Sequence, residues 1–401
     1  MAPYAPARYI DLHALHPVPA SLLNRGEDDE PKTLLLGGAL RAMVSSQAWK
    51  RAIRLQMEEE LDEHAARTRN LPLRIADALR EDGWPGDLAA FAGAQIARSA
   101  TDKGLGTEAK QGGITSALLY LPRDVRSDMV QLCQEHRPQL EEALAQQTAA
   151  AAAPTPKGGR KTKENAVPAV LPTRTVAALI RRRTATINLF GRMLAELPGA
   201  HVDGAVQMAH AFTVHQSDLQ PDYFTAVEDW AAPDEAGSAH LQTGFFTTGI
   251  LYRYATVNLT ELTRNLDGDH DQALRLLNLF TEAFIESLPQ AKRTSTAPHT
   301  LPHLVHYTVR DRRPVSYAAA FEQPVKAAPG GGYALPAVHT LATHADAVNR
   351  LLGSRRRIAH GYATHQNAPV DHLGTPHTSF EELADALTQA AAQPHTSPAR
   401  A

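Results

Sequence analysis

Residues 244–259 read GFFTTGILYRYATVNL, a β-branched and aromatic run long enough for a central strand. Thr260 can cap the next helix, in which Ala273, Leu276, Leu277, Phe280 and Phe284 recur at helical spacing. After the loop 288–302, strand character returns over Leu304–Val309. That is one β-α-β unit, and another opens the chain. From Tyr9 to Leu15, Ile10, Leu12 and Ala14 alternate with Asp11 and His13, the pattern of a half-buried strand. A polar loop to about Lys32 holds the acidic run Glu27–Glu30; Gly37-Gly38 marks a turn, and Arg41–Val44 is a short strand. The helix after it has Ser45-Ser46 as N-cap and Trp49, Ala52 and Ile53 as its apolar stripe.

Two split β-α-β units predict an α+β protein with a ferredoxin-like or RNA-recognition-motif-like sheet, one face of which stays polar and available. Thr184–Phe190 and Val206–His215 alternate and are read as further strands. The stretch between, from about residue 57 to 147, reads as helices, with Ile75 and Leu79 in one stripe. Val125, Met129, Leu132, Cys133, His136, Leu140 and Leu144 form another, interrupted at Pro138. Residues 148–172, rich in Ala, Pro, Gly and Lys, read as a flexible linker, and 386–401 as a disordered tail.

The 401 residues carry 40 Lys+Arg against 43 Asp+Glu, 19 His and a single cysteine, Cys133. One cysteine excludes an internal disulfide framework and a four-cysteine zinc site. No apolar run approaches the length of a membrane span, so a cytoplasmic protein with no membrane partner is expected. Near-neutral charge excludes a surface basic all over, while leaving room for a local nucleic-acid footprint.

Such a footprint lies at Ser45-Ser46-Gln47-Ala48-Trp49-Lys50-Arg51-Ala52-Ile53-Arg54. Gln47, Lys50 and Arg54 fall on one helical face, opposite Trp49 and Ile53. Two hydroxyls and the positive end of the helix stand at its start, a donor set suited to phosphates. The plainer account is a solvated amphipathic helix. Phe190, Arg192 and Met193 put an apolar group beside a cation, as base stacking requires. The competing chemistry is metal-dependent hydrolysis. Its candidates are His299, His303 and His306, or His215, Asp218, Asp222, Asp229 and His240. Neither group follows a helical metal motif, and no phosphate loop or activated nucleophile is present, so no cofactor and no enzyme are expected.

The helix segment resembles the signature of the CRISPR type I-E Cascade backbone subunit, the CasC family, and the likeness continues in order along the chain. It begins with Asp11–Leu15, Leu23-Asn24-Arg25, Lys32 and Gly37-Gly38. Leu189–Met193, Asp203–Ala205, Ala209–Ala211, His215-Gln216 and Tyr223–Asp229 come next. Gly237–Leu241, Tyr252–Tyr254, Arg313–Ser316 and Ala319-x-Phe321-Glu322 complete it. The resemblance implies a palm (1–57, 184–214 and 244–385), helical fingers (58–183) and a thumb hairpin (215–243). It implies an RNA-binding subunit in antiviral defence whose copies polymerise along the guide RNA (crRNA), beside other Cascade subunits and a target DNA strand. Carried over by position, Asn24, Arg25, Lys32, Ser45, Ser46, Gln47, Lys50, Arg51 and Arg54 would hold the guide. Gly191-Arg192-Met193 would supply an apolar contact to a base, and Lys292, Arg293 and Thr296 a further contact. The family's basic residues after the Gly-Gly turn are reduced here to Arg41, which the resemblance makes a further candidate contact to the guide.

Overall fold

The computed structural model describes residues 9–152, 168–227, 238–289, 291–353 and 357–393. The chain divides into two compact units, one formed by residues 1–57 with 205–401 and the other by 58–204.

The first unit opens with β1 (Tyr9–Ser21), β2 (Thr33–Leu36), β3 (Ala39–Val44) and α1 (Ser46–Glu60), the helix running on into the second unit. The second unit contains β4 (Ala65–Thr68), α2 (Leu71–Glu81), α3 (Gly86–Arg98), β5 (Thr107–Glu108), β6 (Ile114–Thr115) and β7 (Leu119–Pro122). It continues with α4 (Val125–Glu135), α5 (Arg137–Ala152), α6 (Thr173–Arg181) and α7 (Ala185–Phe190). The chain then returns to the first unit with β8 (Val206–Met208), β9 (Ala211–Thr213), β10 (Gln220–Val227), β11 (Ser238–Asn258), α8 (Leu259–Asn265) and α9 (His270–Glu286). After these come α10 (Arg293–Thr296), β12 (Leu304–Arg310), α11 (Ala334–Leu352), β13 (Arg357–Thr364), β14 (Thr375–Pro376) and α12 (Phe380–Ala392).

The first unit is built on one sheet of order β14-β13-β12-β1-β11-β9-β3-β2, antiparallel except between β13 and β14. The aromatic run from residue 244 is the heart of β11, paired with β1 from Asn258↔Tyr9 to Thr247↔Ser21. The earlier residues of β11 pair with β10 as a hairpin, from Phe246↔Gln220 to Ser238↔Val227. Asn258, rather than Thr260, caps the next helix, its side chain accepting the N–H of Glu261 at 3.1 Å. A capping oxygen must stand just outside the helix, and Thr260 already lies within it.

The expected polar sheet face does not exist on β1. Asp11 and His13, predicted to face outward, are fully buried along with Ile10, Leu12 and Ala14. The face carrying His13, Leu15, Tyr252 and Tyr254 is covered by Val315, Tyr317, Phe321 and the α11 residues Ala337, Val338 and Leu341. On the other face Arg253 is clasped between the rings of Trp49 and Phe284, 3.8 and 4.5 Å from their centroids. Asp11 can be buried because its oxygens are saturated: it accepts from Arg310 Nε (3.0 Å), Tyr254 OH (2.9 Å), Thr308 Oγ1 (3.3 Å) and Val315 N–H (3.0 Å).

The second unit has a different interior. Leu71, Ile75, Leu79, Leu88, Ala92, Ile96, Leu119, Met129, Leu132, Cys133, Leu140, Val176 and Ile180 form one apolar cluster. Burial pushes the Cys133 thiol up to about 12, so it is inert.

Three sequence boundaries shift. Residues 185–190 form a helix, not a strand, capped by Thr184 Oγ1 accepting the N–H of Ile187 at 3.2 Å, and 184–204 belong to the helical unit rather than the sheet. Both ends of the expected linker are ordered. Helix α5 runs to Ala152, and Gln95 holds Pro168 O and Val170 N–H at 3.2 and 3.0 Å, with Leu171 buried. Residues 153–167 lie outside the described residues. The expected tail begins too early, since α12 runs to Ala392 with Leu387 and Ala391 buried; 394–401 are not described.

Candidate nucleic-acid interface

The start of α1 is the best-built donor cluster in the first unit. Ser45 is the cap: its Oγ accepts the N–H of Ala48 at 3.4 Å, while its own N–H is held by Asn24 Oδ1 at 2.9 Å. Ser46 donates its N–H to Nδ1 of His210 at 2.9 Å. Asn24 reaches this place because its loop is stapled to β3. Lys32 N–H donates to Asn24 O (3.2 Å), Met43 N–H to Lys32 O (2.8 Å) and Gly26 N–H to Glu30 O (2.7 Å). Arg25 is exposed and pairs with Asp29 at 3.2 Å, a surface pair weak enough for a phosphate to displace.

Along α1, Gln47 and Arg51 are exposed and Lys50 is half-buried, its Nζ donating to Val206 O at 3.3 Å. Arg54 departs from expectation. It is only 6% exposed, since Ile53, Met57 and Glu58 are buried around it and the helix is enclosed over more of its circumference here than near Gln47. The accessible basic face therefore ends at Lys50 and Arg51.

Arg41 is corrected outright. Its guanidinium is buried and donates to Thr213 O (2.9 Å), Phe321 O (3.1 Å) and Glu322 O (3.3 Å). The same contact explains Gly37, where a Cβ would stand 1.8 Å from Glu322 O. Arg41 holds the β2–β3 turn against residues 321–322 and offers no cation to a ligand.

Lys292, in left-handed conformation, opens the short α10, whose Thr296 Oγ1 donates to Lys292 O at 2.9 Å. Its ammonium stands 5.8 Å from the Phe246 ring centroid, beside the base of the hairpin; Arg293 and Thr296 are half-buried. Sequence reasoning passed over Tyr223 and Phe224 on β10, which are 63% and 41% exposed. Two adjacent aromatics directly after Gln220-Pro221-Asp222 were the available signal.

In the helical unit, Gly191 ends α7 at φ 80°, where a Cβ would meet Val202 O and Gly204 N at 2.8 Å. Arg192 is buried rather than basic surface. Its side chain donates to Ala200 O (2.7 Å), Arg182 O (2.8 Å), Arg181 O (3.1 Å) and Tyr120 O (3.2 Å), and burial, with Arg183 nearby, brings its pKa down to about 10. What this scaffold presents is Met193, 83% exposed.

The residues proposed for metal chemistry lie apart. His306 is buried on β12 with Nδ1 at 2.9 Å from Gly361 O, and burial lowers its pKa to about 3. His299 is exposed, and His215 stacks on Tyr333 at 3.8 Å between centroids. Among the described residues no three His, Cys, Asp or Glu side chains are grouped to hold a metal ion. Asp229 and the side chain of His240 lie outside the described residues. No helix among those described is long and apolar enough to cross a membrane.

This fold, a sheet that extends into a long hairpin with a helical unit inserted after its first helix, is similar to that of chains from CRISPR RNA-guided surveillance complexes. A chain of a "CRISPR RNA-guided surveillance complex, pre-nicking" matches with a TM-score of 0.83 and 38% identity, over 96% of this chain and 100% of that one. A chain of a second "CRISPR RNA-guided surveillance complex" matches at 0.74 and 34%, over 95% and 99%. The family is shown by sequence as well: the model of the CT1975-like proteins matches residues 10–387, and the chain belongs to that family. No curated protein matches it.

Proposed function

We propose that this chain is the crRNA-binding backbone subunit of a type I-E CRISPR surveillance complex, non-catalytic itself, whose copies assemble along the guide beside other subunits and the target DNA strand. The observation that carries the reading is the 38% identity over 96% of the chain to a chain of a CRISPR RNA-guided surveillance complex. The geometry supports it. The strand order β12-β1-β11-β9, with α1 and α9 as crossovers, suits an RNA-recognition-motif-like palm. Residues 58–204 are the fingers, and β10 with the start of β11 the thumb. With both sheet faces covered, the guide would run instead past the start of α1. There Asn24, Arg25, Lys32, Ser45, Ser46, Gln47, Lys50 and Arg51 supply amide, hydroxyl and cationic donors to phosphates. Met193, Tyr223 and Phe224 offer apolar and aromatic surfaces to displaced bases. Such contacts hold the backbone and leave sequence to base pairing.

The test is to purify the chain after co-expression with a guide and to measure what it carries. Stoichiometric RNA bound with similar affinity for unrelated guide sequences is expected. Protein free of RNA, or protein that cleaves labelled RNA or DNA in a metal-dependent way, would overturn the reading.

A further inference from the structure

We infer that His210 is a further RNA-contacting residue of this surface, presenting its Nε2–H to an oxygen of the guide backbone; the inference rests on the guide-binding reading above. His210 lies in the block Ala209-His210-Ala211, and none of the donors assigned so far accounts for its imidazole. Its Nδ1 accepts the N–H of Ser46 at 2.9 Å. A ring nitrogen that accepts carries the lone pair, so in the neutral imidazole the proton sits on Nε2. The helix start thereby fixes both the tautomer and the direction of the ring.

The ring is exposed, on a backbone that cannot drift. Ala209 N–H donates to Tyr254 O at 3.0 Å, and Ala211 pairs with Val44 at the end of β3. The same helix start carries the exposed Gln47, the Ser45 hydroxyl, and Lys50, anchored to Val206 O four residues before His210. Nε2–H is thus a neutral donor set among a hydroxyl, an amide and an ammonium about one helix start. The ligand chemistry that matches is a phosphodiester or ribose oxygen, which every nucleotide repeats.

The two ring nitrogens can be tested separately in the full chain co-expressed with its guide. In His210→Asn, Oδ1 takes the place of Nδ1 and preserves the link to Ser46, but the side chain stops short of Nε2. In His210→Gln, the amide reaches the Nε2 position and abandons the link. His210→Asn should melt like the wild type and bind guide about 5-fold more weakly, the scale of one neutral hydrogen bond. Its salt dependence should keep the wild-type slope, because the lost donor carries no charge. His210→Gln should melt lower yet bind more tightly than His210→Asn. Wild-type affinity in His210→Asn, no recovery in His210→Gln, or a slope flattened by ~0.7, the mark of a lost cation, would each overturn the inference. Failure of the broader reading would appear in a different arm, as wild-type protein without RNA.

Discussion

The two units bury different chemistry. The helical unit closes over Leu, Ile, Val, Ala and Met, with Arg192 as its one buried guanidinium among the described residues. The sheet unit encloses Asp11, His13, His16, Arg41, Arg54, Arg253, His306 and Arg310, many of them in partnered networks across β1, β11 and β12. An apolar core tolerates loss roughly in proportion to the area and volume removed. A buried polar network is less forgiving, because removing one member strands the others without solvent. Point changes of similar size should therefore damage the two units unequally, and acidification should weaken the sheet unit first.

The largest effect should come from Asp11→Ala. It leaves Arg310 buried without its carboxylate, 3.0 Å away at present, and unpairs Tyr254 OH and Val315 N–H. A cost of about 3–5 kcal/mol is expected in thermal or denaturant melts. Ile96→Ala, in the helical core, should cost about 2–4 kcal/mol through cavity formation alone. Equal costs with equal pH dependence would erase the contrast.

Acidification comes next. Burial depresses His13 well below the usual imidazole value, and His16 and His306 from 6.5 to about 3. Since the folded values are lowered, the unfolded chain takes up protons first. Stability is then complete above about 6.5 and falls as the pH drops from there toward the folded values. Each such histidine contributes a slope of about 1.4 kcal/mol per pH unit. Asp11, lifted by burial against the opposing pull of Arg310, gives the opposite slope and offsets part of the loss. Hydrogen exchange between pH 7.5 and 5 should show amides of β1, β11 and β12 losing protection ahead of those in α2–α4. Uniform loss would mean the imidazoles do not set the acid limit.

Much of the fold was legible because strands and helices with one buried face leave a periodic trace, as in β11 and α9. The trace failed where burial is complete. In α7, Ala185, Thr186, Ile187, Asn188 and Leu189 are all buried, so no helical period survives in six residues and a chance alternation reads as strand. The polar set of β1 misled for a related reason: Asp11 and His13 alternate like surface residues yet sit under Tyr317 and Val315. At the site, composition could identify cations but not their surroundings. Arg41 and Arg192 serve backbone carbonyls, and Arg54 is enclosed, while Lys50, Gln47 and Arg25 remain near water.

That distinction sharpens into a smaller prediction on α1. Lys50→Ala should leave the melting temperature within a few degrees and flatten the log-affinity against log-salt slope for guide RNA by ~0.7. Arg54→Ala should do the reverse, lowering stability with little change in slope. Swapped outcomes would return Arg54 to the RNA surface. Smallest of all, Gln95→Ala frees Pro168 O and Val170 N–H and should cost about 1–2 kcal/mol, read by melting and by protease sensitivity around residue 168.

The double use of β11 has a mechanical consequence. One unbroken strand of 21 residues begins as half of a hairpin and ends in the middle of the sheet, bonded in turn to β10, β9, β8 and β1. A force drawn on the hairpin along its length enters the sheet through covalent backbone and loads the β1–β11 ladder in shear, many hydrogen bonds at once. The hairpin thus acts as a spar stepped into the sheet, and its heading is inherited from the twist of the strands that grip its root.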